Sequence, residues 1–134
     1  MIAGVGDQKE HLENLAEELN VNLHLFGYRK DVAELYKTAD LYVHPSFREG
    51  LPVSVMEAVA SKLDCICSDI RGCSDVVGSD LFNPNDISSL SSLIDKFING
   101  KTNKEINYSN LSKFEVDFIN EALIKLYLEA TNGK

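Results

Sequence analysis

Apolar residues recur along this chain at two spacings, and the spacings alternate. Leu12, Leu15, Ala16 and Leu19 fall three or four positions apart, which predicts an amphipathic helix over 8–20. Val32 to Ala39 predicts a short helix with Asp31 as its N-cap, and Val53, Met56, Ala58, Val59 and Ala60 predict a mostly buried one entered through Pro52 as a first-turn proline. Ile87, Leu90, Leu93, Ile94, Phe97 and Ile98 mark a helix capped by Asp86. A last helix over 113–130 carries Phe114, Phe118, Ala122 and Leu126 on one side. Between these lie short apolar runs of strand type. They are Ile2 to Gly6, Leu23 to Phe26 closed by Gly27, Leu41 to His44 ended by Pro45, Asp64 to Ser68, and Leu81-Phe82 closed by Asn83-Pro84-Asn85. Ser74 to Val77 reads as a brief helical turn.

Strands alternating with helices through short connections imply an α/β fold, a Rossmann-like parallel sheet with helices on both faces. Residues 1–98 form that lobe, 99–112 a polar connection, and 113–130 the closing helix. The apolar side of the closing helix exceeds what the edge of a small sheet needs. Part of the Phe114, Phe118 and Leu126 face is therefore expected to stay exposed or to be covered by self-association.

A chain of 134 residues with 44% hydrophobic and 25% charged content is ordinary for one globular domain. With 21 acids against 13 bases the formal charge is −8, which disfavours nucleic acid as a partner, since phosphate binding needs clustered Lys and Arg. No apolar run approaches membrane-spanning length, and the expected location is cytoplasmic. Three cysteines, Cys65, Cys67 and Cys73, read as small buried side chains in a reducing compartment rather than as a zinc site, which needs about four ligands.

Candidate chemistry gathers in Pro45 to Ala60. Glu49 and Gly50 fall in a strand-to-helix loop, and Glu57 lies about one and a half turns into the helix that follows. In open α/β sheets, ligands bind at the carboxyl ends of strands, where free helix amides favour anionic groups. Ionised carboxylates only accept hydrogen bonds and so suit vicinal hydroxyls, which donate them in pairs, while the amides between could hold a diphosphate. That is the outline of a nucleotide-sugar site. The ordinary alternative is two solvated acids near a helix start, where the dipole favours them.

Taken together, Gly27-Tyr28-Arg29-Lys30-Asp31-Val32, Ala39-Asp40-Leu41, Pro45 to Pro52, Met56-Glu57-Ala58 and Arg71-Gly72 followed by Asp75-Val76-Val77 resemble the family-4 glycosyltransferases, most closely those of capsule and exopolysaccharide synthesis. The resemblance runs from about Ala3 to Ile98, and the family's Glu-x7-Glu signature falls on Glu49 and Glu57. It implies the C-terminal, donor-binding half of a two-lobed GT-B fold, lacking its first strand-helix unit, in a retaining enzyme of polysaccharide biosynthesis. Glu57 would then accept hydrogen bonds from the donor's ribose, and Glu49, as the catalytic residue, from the transferred sugar. Amides around Gly50, Leu51, Pro52 and Val53 would approach sugar and diphosphate, and the turn Gly27, Tyr28, Arg29 would read the base. The implied substrate is a nucleoside-diphosphate sugar, UDP-linked, with a glycan or lipid-linked acceptor, no metal and no further cofactor. Arg29 and Arg48 read equally well as surface charges, and His44 as a locally bonded side chain. The sequence departs from the family at Lys62 and Asp64, where Gly and Pro are common. That departure bears on local stability rather than on chemistry.

The resemblance further implies an acceptor lobe supplied in cis or in trans, the chain being part of a longer enzyme or one product of a split gene. It also implies peripheral association with the inner face of the membrane through the complete enzyme, and little activity for the chain alone. The rival readings are a non-catalytic nucleotide-sugar-binding module or inert remnant, and, more distantly, a sugar-nucleotide epimerase.

Overall fold

The computed structural model describes residues 1–100 and 109–132, in two compact units, Met1–Leu35 and the chain from Tyr36 onward. In the first unit, helix α1 (Lys9–Glu18) occupies the centre of the expected segment 8–20. The two strands expected around it reduce to a single parallel bridge between Ile2 and Leu25. Ile2 donates to the His24 carbonyl (2.8 Å), Phe26 to that of Ile2 (2.9 Å) and Gly4 to that of Gly27 (2.8 Å). At Gly27, φ of +64° turns the second segment away and ends the pairing. Helix α2 (Val32–Thr38) follows, the division between the units falling within it.

The second unit is built on a parallel three-stranded sheet, β1 (Leu41–His44), β2 (Asp64–Ser68) and β3 (Leu81–Phe82), in chain order. Leu41 pairs with Asp64 and His44 with Cys67, while Cys67 and Ser68 pair with Leu81 and Phe82. Side chains alternate along a strand, yet Cys65, Ile66, Cys67 and Ser68 are all buried, so both faces of β2 are covered. Helix α3 (Val53–Ala60) connects β1 to β2, and α4 (Cys73–Val77) connects β2 to β3. Val55, Ala58 and Val59 from α3, with Cys73 and Val76 from α4, complete the core around Ile66. The fold is thus the expected α/β arrangement of a parallel sheet flanked by helices.

Helix ends explain why these boundaries fall where they do. Pro52 stands one residue outside α3 as its N-cap rather than within the first turn, and its carbonyl accepts from Val55 (3.0 Å) and Met56 (3.1 Å). Asp86 caps α5 (Ile87–Ile98) as expected, its carboxylate accepting from the amides of Ser88 (2.9 Å) and Ser89 (3.3 Å). Among the described residues four helices close on a residue with left-handed backbone: Asn20 after α1, Lys62 after α3, Gly78 after α4 and Gly100 after α5, at φ +52°, +63°, +75° and +65°. In the α3 closure Lys62 donates to the Val59 carbonyl (2.9 Å) and Leu63 to that of Ala58 (3.1 Å), the reversed pair of bonds of a Schellman motif. Lys62 occupies the position that glycine usually takes there.

Beyond α5, residues 101–108 of the expected polar connection lie outside the described residues. A one-turn helix α6 (Ser109–Ser112) precedes α7 (Val116–Asn132), which starts three residues later than the expected 113–130 and ends two later. Phe118 and Leu126 of α7 are more than half exposed, as expected for part of that face. Among the described residues no helix is long and apolar enough to cross a membrane.

Candidate functional site

The carboxyl end of β1 leads into a loop, 45–52, that carries Glu49 to the start of α3. Strand alternation puts Tyr42 and His44 on one side of β1, and their rings stack with centroids 5.9 Å apart. The His44 imidazole then bridges two groups: Nδ1 lies 3.1 Å from the Tyr42 hydroxyl and Nε2 3.0 Å from Glu49 Oε1. A hydrogen bond from the Ser46 side chain and the one from His44 hold the Glu49 carboxyl below its ordinary range. Glu49 is therefore a fixed, ionised acceptor with its side chain still 28% exposed.

Glu57 is exposed on α3 and is tied from a different side. The Tyr36 hydroxyl lies 3.1 Å from the Ser54 carbonyl and 3.3 Å from Glu57 Oε2, so its single proton is shared between them. Burial, then neighbouring Tyr42 and Glu57, push the Tyr36 phenol far above its usual range and keep it protonated as a donor. Tyr36 also meets Tyr42 edge to face, centroids 5.6 Å apart. One aromatic pair thereby backs both carboxylates.

The loop between the acids is held by its neighbour across the sheet end. A Cβ on Gly72 would collide with the Gly50 carbonyl oxygen and come within 3.3 Å of Pro52 Cδ. Gly72 itself sits at φ +93°, a backbone that side-chain-bearing residues rarely adopt. The loops after β1 and β2 thus touch backbone to backbone, with Pro52 buried beneath and Gly50, Leu51 and Val53 exposed above. Of the residues expected from sequence, Glu49, Gly50, Leu51, Pro52, Val53 and Glu57 therefore share one loop-and-helix unit.

Gly27, Tyr28 and Arg29 belong to the first unit. There Arg29 Nε donates to Asp31 Oδ1 at 2.8 Å, and its guanidinium lies 5.8 Å from the Phe26 ring centroid. The Asp31 carboxylate, expected to cap α2, is engaged by this arginine. Tyr28 is 73% exposed. A groove of about 590 Å³ in the same unit is lined by α1 and residues 20–25, and no expected site residue lines it. Among the described residues no group of three or more His, Cys, Asp or Glu is placed to hold a metal ion.

Residues 1–113 match the family described as glycosyl transferases group 1. The chain belongs to that family. One relative, the UDP-Gal:alpha-D-GlcNAc-diphosphoundecaprenol alpha-1,3-galactosyltransferase of Escherichia coli, is 32% identical over 94% of this chain and 36% of its own. Protein CapJ of Staphylococcus aureus is 31% identical over 87% of this chain and 32% of its own. The N,N'-diacetylbacillosaminyl-diphospho-undecaprenol alpha-1,3-N-acetylgalactosaminyltransferase of Campylobacter jejuni is 40% identical over 42% of this chain and 15% of its own. The chain spans about a third of the length of the E. coli and S. aureus relatives.

Three residues around this candidate site in the group 1 glycosyl transferase chain escape a sequence reading centred on the glutamates. Tyr42 has a usable signal, since the two-residue period of a strand places it beside His44. Gly72 stands in a recognisable Arg-Gly pair, but its contact with Gly50 is visible only in three dimensions. Tyr36 has no local signal, being 21 positions from the carboxylate it holds.

Proposed function

We propose that this chain is the donor-binding part of a retaining glycosyltransferase of the family-4, GT-B type, acting in polysaccharide biosynthesis within a complete two-lobed protein. The observation that carries the reading is the pair Glu49 and Glu57. They lie on one loop-and-helix unit at the carboxyl end of a parallel strand, Glu57 anchored by Tyr36 and Glu49 by His44 and Ser46. An ionised carboxylate accepts through several lone pairs, so each retains capacity for sugar hydroxyls. In this reading Glu57 accepts from the ribose and Glu49 from the transferred sugar, with Gly50 to Val53 approaching the diphosphate and Gly27 to Arg29 the base.

The donor is a UDP-linked hexose. UDP-galactose is the first to test, because the E. coli relative's name specifies UDP-Gal, and a diphosphoundecaprenol-linked sugar is the corresponding acceptor class. No protein nucleophile is required. Glu49 stabilises positive charge developing on the transferred sugar, the leaving diphosphate takes the acceptor proton on the same face, and the protein supplies position and field. The acceptor lobe and any peripheral membrane contact belong to the complete protein, and the α7 face is a candidate for self-association.

Kinetics of the complete protein, with donor varied at saturating acceptor, test the two roles. Ribose contacts lie far from the breaking bond, so Glu57→Gln raises KM more than it lowers kcat. Glu49→Gln lowers kcat about a hundredfold, on the order of 3 kcal/mol, because its charge gains value as the bond breaks. Near-wild-type kcat for Glu49→Gln, or loss of kcat alone in both variants, refutes the assignment.

A further inference from the structure

His44 is the last residue of β1, and its side chain is only 13% exposed. Its two ring nitrogens face partners of different kinds. Glu49 is ionised and can only accept, so the 3.0 Å contact requires that Nε2 carry a proton. In the neutral ring Nδ1 is then an acceptor, and the Tyr42 hydroxyl 3.1 Å away must donate to it. Burial raises the Tyr42 phenol, which keeps that proton in place, while the Ser54 side chain bonds the same hydroxyl. The donations run one way, from Tyr42 through His44 to Glu49. If the ring takes up a second proton, Tyr42 switches to acceptor and the Nε2 bond to Glu49 is unchanged. The backbone is held as well, since Ser68 Oγ lies 3.4 Å from the His44 carbonyl. Around Glu49 the other ionisable or polar neighbours are Ser46 on its own loop, Tyr42 on β1 and Cys73 on α4.

We propose that His44, fixed by Tyr42 in its Nε2–H tautomer, is a positioning residue that holds Oε1 of Glu49 and, beside the Ser46 hydrogen bond, orients the carboxylate toward the donor sugar. This rests on the reading of Glu49 as the sugar-contacting acid. A glutamate has three rotatable side-chain bonds, and a carboxylate held before the ligand arrives needs no reorganisation as charge develops. His44 touches neither donor nor acceptor in this scheme and acts only through Glu49.

The test uses the 134-residue chain, with His44→Leu, His44→Gln, Tyr42→Phe and Glu49→Gln, each checked for a native amide spectrum. Gln can donate from its amide nitrogen near the place of Nε2, whereas Leu cannot donate. Nitrogen-15 shifts of the His44 ring in the wild-type chain at pH 8 are expected to show protonated Nε2 and bare Nδ1. Tyr42→Phe is expected to weaken that preference. Carboxyl carbon titration is expected to show Glu49 moving up towards its ordinary range in His44→Leu and staying low in His44→Gln. The probes UDP and UDP-galactose, titrated to millimolar concentration, read the sugar contact as a ratio of affinities. His44→Leu is expected to lower the preference for UDP-galactose over UDP about threefold to tenfold, His44→Gln to restore most of it, and Glu49→Gln to lower it at least as much.

A protonated Nδ1 with bare Nε2 overturns the proposal. So does a His44→Leu chain that keeps the full sugar preference while Glu49→Gln loses it. An unchanged preference in Glu49→Gln, or no binding of UDP-galactose by the wild-type chain, instead refutes the donor-site reading on which the proposal rests. Should His44→Leu fail to fold, Tyr42→Phe decides it: His44 ring nitrogen-15 shifts in Tyr42→Phe equal to those of wild type overturn the relay.

Discussion

Lys62 closes α3 in a backbone conformation that suits glycine, and replacing it tests whether that closure is strained. At φ +63° an L-residue brings its Cβ against the following carbonyl, at a cost of roughly 1–2 kcal/mol. Glycine escapes this but gains freedom in the unfolded chain, which returns roughly 0.5–1 kcal/mol. The net expectation for Lys62→Gly is a stabilisation of about 0.5–1 kcal/mol. Lys62 is exposed, so little packing is lost with its side chain. For a chain of 134 residues this corresponds to a rise in Tm of roughly 2–4 °C. The assay is urea and thermal unfolding followed by far-UV circular dichroism, with two controls. Lys62→Ala keeps the Cβ and is expected to gain nothing. Asn20→Gly, at the equivalent closure of α1, is expected to gain less, because asparagine tolerates left-handed backbone better than lysine does. Stability of Lys62→Gly equal to or below wild type, with an unchanged amide spectrum, refutes the strain argument. The same outcome would remove any structural meaning from the departure at this position from the family's common glycine.

Further expectations concern the site's frame. Gly72→Ala is expected to destabilise by about 2 kcal/mol or more in urea unfolding, since it combines positive-φ strain with a backbone collision, whereas Gly50→Ala, whose Cβ would meet nothing within 4 Å, is expected within about 0.5 kcal/mol of wild type. Cys65, Cys67 and Cys73 are buried free thiols raised by burial, Cys65 to about 12, so alkylation by iodoacetamide is expected to track unfolding, with fast labelling of the native chain as the contrary result. Glu49 is lowered from an ordinary 4.5 on folding, so its contribution is complete above pH 4.5 and is lost as pH falls through the folded value. The stability difference between wild type and Glu49→Gln is accordingly expected to shrink on acidification below that point, and a constant difference would contradict the bonding described.

Where one side-chain period dominated, the sequence was legible. Asp64 to Ser68 and Leu81-Phe82 are strands as the apolar runs indicated, and Asp86 caps α5 because an acid before a helical pattern has free amides to bind. Ile2 to Gly6 and Leu23 to Phe26 carry the same apolar signal, yet a strand needs a partner along its whole length, and Gly27 turns the chain after one bridge. The glutamates could be found because both lie in one continuous stretch. What orients them could not, since Tyr36 acts across 21 positions and the Gly72–Gly50 contact depends on two loops meeting. Motifs report which groups do chemistry; the groups that aim them are selected by packing.

The burial of β2 on both faces has a consequence for timing. Its amides can exchange with solvent only when the sheet itself opens, whereas Phe47, Arg48, Gly50 and Leu51 stand in the open on the loop above. The chain therefore has two clocks. The exposed side chains of loop 45–52 can change rotamer in picoseconds to nanoseconds while the wall behind them stays closed for as long as the fold lasts. The outer side chains of the loop and the buried strand then draw on separate reserves of stability, and a substitution in the first can leave the second closed.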